Sequence, residues 1–294
     1  MTPRKRKFAL RTAGLLLPED DRARLEVLER EWRRCDTGLG YDVFGAEWEY
    51  YVLFYALARL LYEKYFRVES FGHDNIPSNG PFILAGNHSG GVPLDGVMIP
   101  VDLVKKLDPP RLVRAIVEIA FSKLPFSNYL MFRIGYVVGV KRNFEELLKV
   151  GQGVLVFPEG IRGMGKPIWR RYQLTPFNVG HVELSIENKA PIVPVGVVGA
   201  EEQMIIIDNW ERVGKLFGVN AFPITLTWPW LGPFGLIPLP TKYRIYYGKP
   251  FRFWEEDPEA LRKAEVIREM ANRVQNSVQS LLNEGVKNRP GIFT

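Results

Sequence analysis

Short apolar runs alternate with segments of helical spacing along most of the chain, and this alternation restricts the possible folds more than any other feature. Segments with helical spacing, such as 143–150 and 179–188, lie between the runs. The alternation predicts an α/β domain with a largely parallel sheet. Six runs have the composition of buried strands, at 82–85, 113–119, 136–140, 154–157, 192–198 and 243–247.

The two ends of the chain have helical patterns. Residues 19–34 are charged on most sides and carry a narrow apolar stripe, which is typical of a surface helix. The aromatic-rich stretch 44–65 includes several charges, so we expect an amphipathic helix on the core or at a membrane interface. A last helix is predicted to begin at Asp257 and Pro258 and to end at Gly285. We therefore divide the chain into an N-terminal helical, membrane-proximal extension, 1–66, and a main domain, 67–294.

Composition narrows the possible partners. The 294 residues are 46% hydrophobic and 24% charged, as in globular proteins, and 39 Lys and Arg against 33 Asp and Glu give a net charge of +6. This balance favours anionic partners such as phospholipid headgroups or phosphorylated cofactors. The single cysteine, Cys35, excludes a disulfide framework, and with three histidines we expect no metal site. The chain shows no nucleic-acid recognition helix or stacking motif, so no nucleic-acid partner is expected.

Two segments suggest contact with a membrane surface. The uncharged stretch 216–241 contains five prolines, which argue against a spanning helix. Its aromatic residues predict an apolar loop at a membrane surface or over an apolar pocket, and a buried loop is the alternative. A basic cluster near the start is either a solvated tail or a membrane-attracted segment. That cluster comprises Arg4, Lys5, Arg6, Lys7 and Arg11.

The first candidate site is the glycine-rich loop 86–96, directly after a predicted buried strand, where α/β proteins place ligands. His88 is suited to proton transfer near neutral pH. Asp95 could accept the other imidazole N–H and fix the tautomer of His88, although a lone histidine at such a place is often structural. Six residues separate the two, and Gly90 and Gly91 permit the detour that would bring them together.

Three further blocks follow predicted strands or contain them. In 154–163, Glu159 and Arg162 arrive at the same sheet edge, Arg162 is a natural phosphate ligand, and Gly160 lets a ligand approach the backbone. In 135–142 the strand ends in Lys141 and Arg142, and either could neutralise a phosphate. In 190–195 two prolines bracket an apolar run, which suggests packing or an acyl-chain wall.

These four blocks, in this order, resemble the glycerolipid acyltransferase superfamily, typified by 1-acylglycerol-3-phosphate O-acyltransferases. Phe-Pro-Glu-Gly-Ile-Arg at 157–162 and Pro-Ile-Val-Pro at 191–194 match the superfamily's later motifs closely, and 135–142 matches in character with one extra residue. The first motif of the superfamily has four residues between its His and Asp, whereas six separate His88 from Asp95. Ile161 stands where Thr or Ser is usual. The resemblance covers about residues 70–250.

The resemblance implies an α/β fold with a largely parallel mixed sheet flanked by helices, and an acyltransferase domain over 67–294. It implies an enzyme that moves a fatty acyl group from acyl-CoA or acyl carrier protein to a glycerolipid hydroxyl, first of all that of lysophosphatidic acid, giving phosphatidic acid. His88 would remove the hydroxyl proton and Asp95 would orient His88, so no cofactor is needed beyond the thioester co-substrate. The implied substrate-binding residues are Glu159, Gly160, Arg162 and Arg142.

The departures leave two alternatives open. The altered first motif and Ile161 could suit a neutral acceptor, such as diacylglycerol or a long-chain alcohol. A non-catalytic lipid-binding protein on the same fold is the other. The resemblance implies a membrane lipid acceptor and an acyl thioester donor as partners, and peripheral association with the cytoplasmic face of a membrane.

Overall fold

A seven-stranded sheet forms the centre of the computed structural model, which describes residues 12–88, 90–119, 127–216, 222–257 and 259–294. A separate two-stranded ribbon is formed by β7 (Ile206–Asn209) and β8 (Pro223–Thr225). The strands of the main sheet are β1 (Glu69–Phe71), β2 (Phe82–Gly86), β3 (Val113–Val117), β4 (Val137–Val138), β5 (Gly153–Val156), β6 (Ile192–Val198) and β9 (Arg244–Tyr247).

The spatial order of the strands is β1-β9-β6-β2-β5-β3-β4. The five strands from β2 to β6 are parallel, whereas β9 pairs antiparallel with β6, and β1 pairs parallel with β9. The carboxyl ends of five strands therefore meet at one edge, which we call the carboxyl edge. The predicted α/β class with a largely parallel mixed sheet is confirmed.

Helices cover both faces of the sheet. On β2, Leu84 packs with the helices of one face and Ile83 with those of the other, because successive strand residues point to opposite sides. Burial on both faces explains the continuous apolar runs of the strands. The helices are α1 (Glu19–Trp32), α2 (Trp48–Leu60), α3 (Asp95–Lys106), α4 (Ser127–Arg133), α5 (Lys141–Lys149), α6 (Ile161–Met164), α7 (Gly180–Asn188), α8 (Glu211–Leu216), α9 (Phe253–Glu256) and α10 (Ala264–Asn288).

The N-terminal helices share the core of the main domain. Leu28 of α1 and Tyr55 of α2 are buried in the same apolar cluster as Leu84, and Arg114 of β3 forms a buried ion pair with Asp42. The guanidinium group of Arg114 also lies 4.0 Å from the ring centre of Trp32. Helices α1 and α2 therefore cover one face of the sheet. The basic cluster at 4–11 lies outside the described residues.

The structure corrects the boundaries of several predicted elements. The last helix begins at Ala264, not Asp257, and continues past Gly285 to Asn288, while Pro258 lies outside the described residues. A Cβ on Gly285 would lie 2.6 Å from the ring of Tyr246, so this glycine permits close helix–sheet packing and does not end the helix. Strand β3 ends at Val117, and β4 is reduced to two residues. Among the described residues, no helix combines the length and apolar character needed to cross a membrane.

Candidate active site

The candidate site lies at the carboxyl edge, where β2 and β5 end side by side. These strands are direct parallel neighbours, with Ala85 opposite Val156. His88, which follows β2, and Glu159, which follows β5, therefore lie next to each other. A crevice outside the carboxyl ends of parallel strands is the usual ligand site of α/β sheets.

His88 and Asp95 form a hydrogen-bonded pair. The distance from His88 Nδ1 to Asp95 Oδ2 is 2.9 Å, so the expected contact is present despite the six intervening residues. Gly91 has φ +75°, a conformation that glycine adopts readily, and it turns the chain back toward His88. An ionised carboxylate can only accept hydrogen bonds, which places the proton on Nδ1 and leaves Nε2 free to act as a base.

Asp95 is the first residue of α3 and is fully buried. Its second oxygen, Oδ1, accepts the backbone N–H of Gly96 at 2.8 Å. The N-terminus of a helix stabilises a negative charge, which favours the carboxylate at this position. The sequence predicts a loop at Asp95, whereas the structure has a helix that begins there. The interior proline of that helix, Pro100, weakens its helical pattern in the sequence.

Phe157 fixes the plane of the His88 ring. The two rings are stacked, with centres 4.0 Å apart and planes at 4°. On the other side of the residue, the backbone N–H of His88 donates to Glu159 Oε1 at 3.2 Å. Two side chains that follow β5 thus hold the ring and the backbone of His88, as a preorganised base requires.

Glu159 belongs to a buried ion-pair network beneath His88. Its Oε2 accepts Lys166 Nζ at 3.2 Å and the backbone N–H of Thr175 at 2.8 Å. Lys166 also contacts Glu201 Oε1 at 3.1 Å, and Asn87 donates to the same oxygen at 3.2 Å. Burial raises the pKa of Glu201, and the charge of Lys166 opposes that rise. Since both oxygens of Glu159 bind protein groups, its contacts order the loops of the site.

A cavity of about 560 Å³ opens beside His88 and has the size of a small-molecule site. Most of its wall is apolar, and it continues from His88 between α5 and α7. The hydroxyl of Tyr136 lines it and donates to the carbonyl of Gly96 at 3.1 Å. Burial raises the pKa of Tyr136, which stays protonated at neutral pH. The apolar wall includes Ile116, Met131, Phe144, Val156, Phe157 and Leu184.

The structure brings most of the predicted site residues to this cavity, but not Arg142. Gly160 and Arg162 line it, and exposed Arg162 donates to the carbonyl of Pro176 at 3.3 Å. Arg142 is exposed on α5 and is not among the lining residues. Its neighbour Lys141 takes that place and pairs with Glu187 at 2.6 Å.

One predicted block has a structural role, and two residues that line the cavity were not predicted. The run Ile192–Val198 is buried throughout the centre of the sheet and lines no part of the cavity, so packing is the correct interpretation of the two-proline block. Tyr136 and His181 line the cavity and were not predicted as site residues. Tyr136 lies within the 135–142 block, whereas no motif signalled His181. Within the described ranges, no group of three or more His, Cys, Asp or Glu side chains could hold a metal ion.

Comparison with known proteins finds a matching protein family. Residues 67–198 match the family model described as Acyltransferase, a segment that contains both the His88–Asp95 pair and the Glu159 network. This segment of the chain is similar to the acyltransferase family. The resemblance inferred from the four blocks is thereby confirmed, and this acyltransferase domain accounts for β1 to β6 of the sheet.

Two curated relatives and one solved structure extend the comparison. The chain is 33% identical to uncharacterized proteins of Mycobacterium leprae and Mycobacterium tuberculosis, over 80% and 81% of its own length. It spans 64% and 66% of theirs, slightly less than two thirds. The crystal structure of the 1-acyl-sn-glycerophosphate (LPA) acyltransferase PlsC from Thermotoga maritima aligns at 18% identity with a TM-score of 0.50, covering 90% of this chain and 88% of that one. That similarity shows a shared fold.

Proposed function

We propose that this acyltransferase domain moves a fatty acyl group from an acyl thioester to a glycerolipid hydroxyl, with lysophosphatidic acid as acceptor and phosphatidic acid as product. The observation that carries the proposal is the His88–Asp95 pair beside a mostly apolar cavity. Such a cavity suits a hydrocarbon chain, since apolar burial favours its transfer from water. The fold neighbour from Thermotoga maritima is a 1-acyl-sn-glycerophosphate (LPA) acyltransferase, which supports the choice of acceptor.

The reaction requires one base and no protein nucleophile. Nε2 of His88 takes the proton of the acceptor hydroxyl as its oxygen attacks the thioester carbonyl carbon. The new C–O bond forms, the C–S bond breaks, and the imidazolium returns the proton to the leaving thiolate. Asp95 stabilises the imidazolium and holds the required tautomer. The acyl thioester, of CoA or a carrier protein, is a co-substrate, so the proposed reaction uses no other cofactor.

Arg162 is the group at the cavity rim best suited to an acceptor phosphate, because guanidinium binds phosphate through paired N–H groups. We expect Arg162→Ala to lower kcat/KM for lysophosphatidic acid by about 10- to 100-fold, the worth of a charge-assisted hydrogen bond. The rate with diacylglycerol, which has no phosphate, should change little. Acyl transfer from long-chain acyl-CoA to each acceptor measures both.

Arg252→Ala is the matched control, because Arg252 is exposed next to Phe251, which pairs with Ile192 at the opposite end of β6 from the site. The control should keep the rates of the wild type with both acceptors. If only diacylglycerol is acylated, the proposed acyl transfer stands, but the acceptor is the neutral lipid and not lysophosphatidic acid. No product from either acceptor would favour a non-catalytic lipid-binding role.

We further propose peripheral attachment of the protein to the cytoplasmic face of a membrane through the segment 226–237, which we call the apolar loop. Phe234 is 75% exposed and Trp230 is 65% exposed. Leu239, two residues after the loop, donates its N–H to the carbonyl of Gln203 at 2.7 Å, and the side-chain amide of Gln203 donates to the carbonyl of Val92 at 2.6 Å. Gln203 thus links the chain that follows the loop to the glycine-rich loop of the active site. Insertion of this loop would bring the glycine-rich loop of the active site toward a lipid acceptor.

Replacing both Trp230 and Phe234 by serine should weaken binding to vesicles of anionic phospholipid at least about tenfold, because each aromatic ring loses its transfer free energy. Co-sedimentation with vesicles measures the effect. Leu261→Ser, which removes a 43% exposed apolar side chain between α9 and α10, is the control. Equal binding by all three proteins would refute the proposed attachment through this loop.

A further inference from the structure

A buried lysine lies between the two carboxylates that contact the end of β2. Lys166 follows α6, and its side chain is 5% exposed. Its Nζ lies 3.2 Å from Glu159 Oε2, 3.1 Å from Glu201 Oε1 and 3.4 Å from the carbonyl oxygen of Gln173. An ammonium group has three N–H donors, so these three acceptors satisfy it. Lys166 is not among the residues that line the cavity, so its partners are protein groups and not the substrate.

The two carboxylates hold consecutive residues at the end of β2. Glu159 Oε1 accepts the backbone N–H of His88 at 3.2 Å. Glu201 Oε1 accepts the side-chain amide of Asn87, also at 3.2 Å. Glu159 follows β5 and Glu201 follows β6, the two strands on either side of β2. One ammonium group therefore connects both neighbours of β2 to the residues that place the imidazole.

The positions of both carboxylates depend on the charge of Lys166. Glu159 is 1% exposed and Glu201 is 5% exposed, so water does little to stabilise either charge. Burial raises the pKa of Glu201, Lys166 opposes this rise, and the charge of Glu159 adds to it. Two neighbouring buried carboxylates repel each other when no cation lies between them. Without the ammonium group, one of them must take up a proton or move, and either change alters its contacts with the end of β2.

We propose that Lys166 is a positioning residue of the acyl transfer, which fixes the imidazole of His88 through the two carboxylates. The contacts form two steps, from the ammonium group to the carboxylates and from the carboxylates to the end of β2. The kinetic part of this inference rests on the proposed function. A shift of His88 would weaken its contact with Asp95 and misdirect Nε2, and a misplacement of about 1 Å can cost about 10²-fold in rate.

Lys166→Met keeps an apolar stem and removes the ammonium group. We expect kcat with acyl-CoA and lysophosphatidic acid to fall by about 10- to 100-fold, with little change in KM because the cavity wall is unchanged. Arg289→Met is the matched control, since Arg289 is also buried and its Nη2 lies 2.7 Å from Glu202, which binds the end of α10. The control should lose stability and keep the kcat of the wild type. Losses of kcat that follow the losses of Tm equally in both variants would overturn the inference.

The double variant Lys166→Met with Glu201→Gln removes the charge left unpaired, and it serves if the single variant does not fold. It should recover Tm and remain slow, whereas recovery of kcat together with Tm would contradict a positioning role.

The NMR shifts of the ring nitrogens of His88 show which of them carries the proton, and this measurement needs no turnover. The proton should lie on Nδ1 in the wild type and in Arg289→Met, whereas Lys166→Met should give a mixture of tautomers. A wild type without transfer activity would refute the proposed function separately. In that case the same tautomer in all three proteins would overturn the inference about Lys166.

Discussion

Replacing His88 by alanine is expected to lower kcat for acyl transfer by about 10²–10⁴-fold, the usual contribution of a general base. The imidazole is the proposed proton acceptor at the cavity, and Nε2 can accept the proton because Nδ1 donates to Asp95. Without it, the acceptor hydroxyl attacks as a poor nucleophile and the leaving thiolate lacks its proton donor. Steady-state rates with acyl-CoA and lysophosphatidic acid measure the loss.

The effect should fall on kcat, with KM for the donor changed by a few-fold at most. In the proposed complex the acyl chain contacts the apolar wall, and alanine at position 88 keeps the other residues of that wall. His73→Ala is the matched control, because it also removes a histidine hydrogen-bonded to a carboxylate, but outside the cavity. The control should retain its activity. Transfer by His88→Ala at the rate of the wild type would eliminate the proposed mechanism.

The sequence could predict the sheet and the edge that carries the site because both depend on local signals. Buried strands such as β2 and β6 are apolar throughout, and the residues that follow β2 and β5 form recognisable motifs. The two glycines before Asp95 predicted a turn of the chain that brings its carboxylate to His88, and the structure has this contact. The role of each residue in catalysis stays a prediction.

Other parts of the site depend on helix phase and on distant packing. Lys141 and Arg142 are chemically similar, exposed neighbours, yet consecutive helix residues point about 100° apart, so Lys141 lines the cavity and Arg142 does not. The sequence could not fix this phase, because the strand predicted over 136–140 is only two residues long and does not lead directly into the helix. The sequence likewise does not show that His181 lines the cavity, because this depends on how its helix packs against the sheet.

Asp95→Asn is expected to lower kcat by a similar factor, about 10²–10⁴-fold, with little change in fold. Both carboxylate oxygens accept hydrogen bonds, Oδ2 from His88 and Oδ1 from the N–H of Gly96. Asparagine has one acceptor oxygen, so either orientation of its amide loses one of the two. If the amide nitrogen faces His88, it donates to Nδ1, which moves the imidazole proton to Nε2 and removes the base.

Thermal unfolding and kinetics together separate orientation from structural support. If Asp95 has only a structural role, the loss of activity in each variant should follow its loss of Tm. Asp95→Ala should then have a much lower activity and a much lower Tm than Asp95→Asn. An orienting Asp95 would make the two variants similarly slow, although the asparagine protein stays closer to the wild type in Tm.

The double variant His88→Ala with Asp95→Asn provides the sharpest test of the pair. Asp95 is proposed to act through the imidazole, so once His88 is absent its replacement should cost almost nothing further in kcat. Residues that act as a unit show this strong non-additivity. If the two losses instead multiply, Asp95 contributes independently of His88, and the hydrogen bond of 2.9 Å between them is structural and not catalytic.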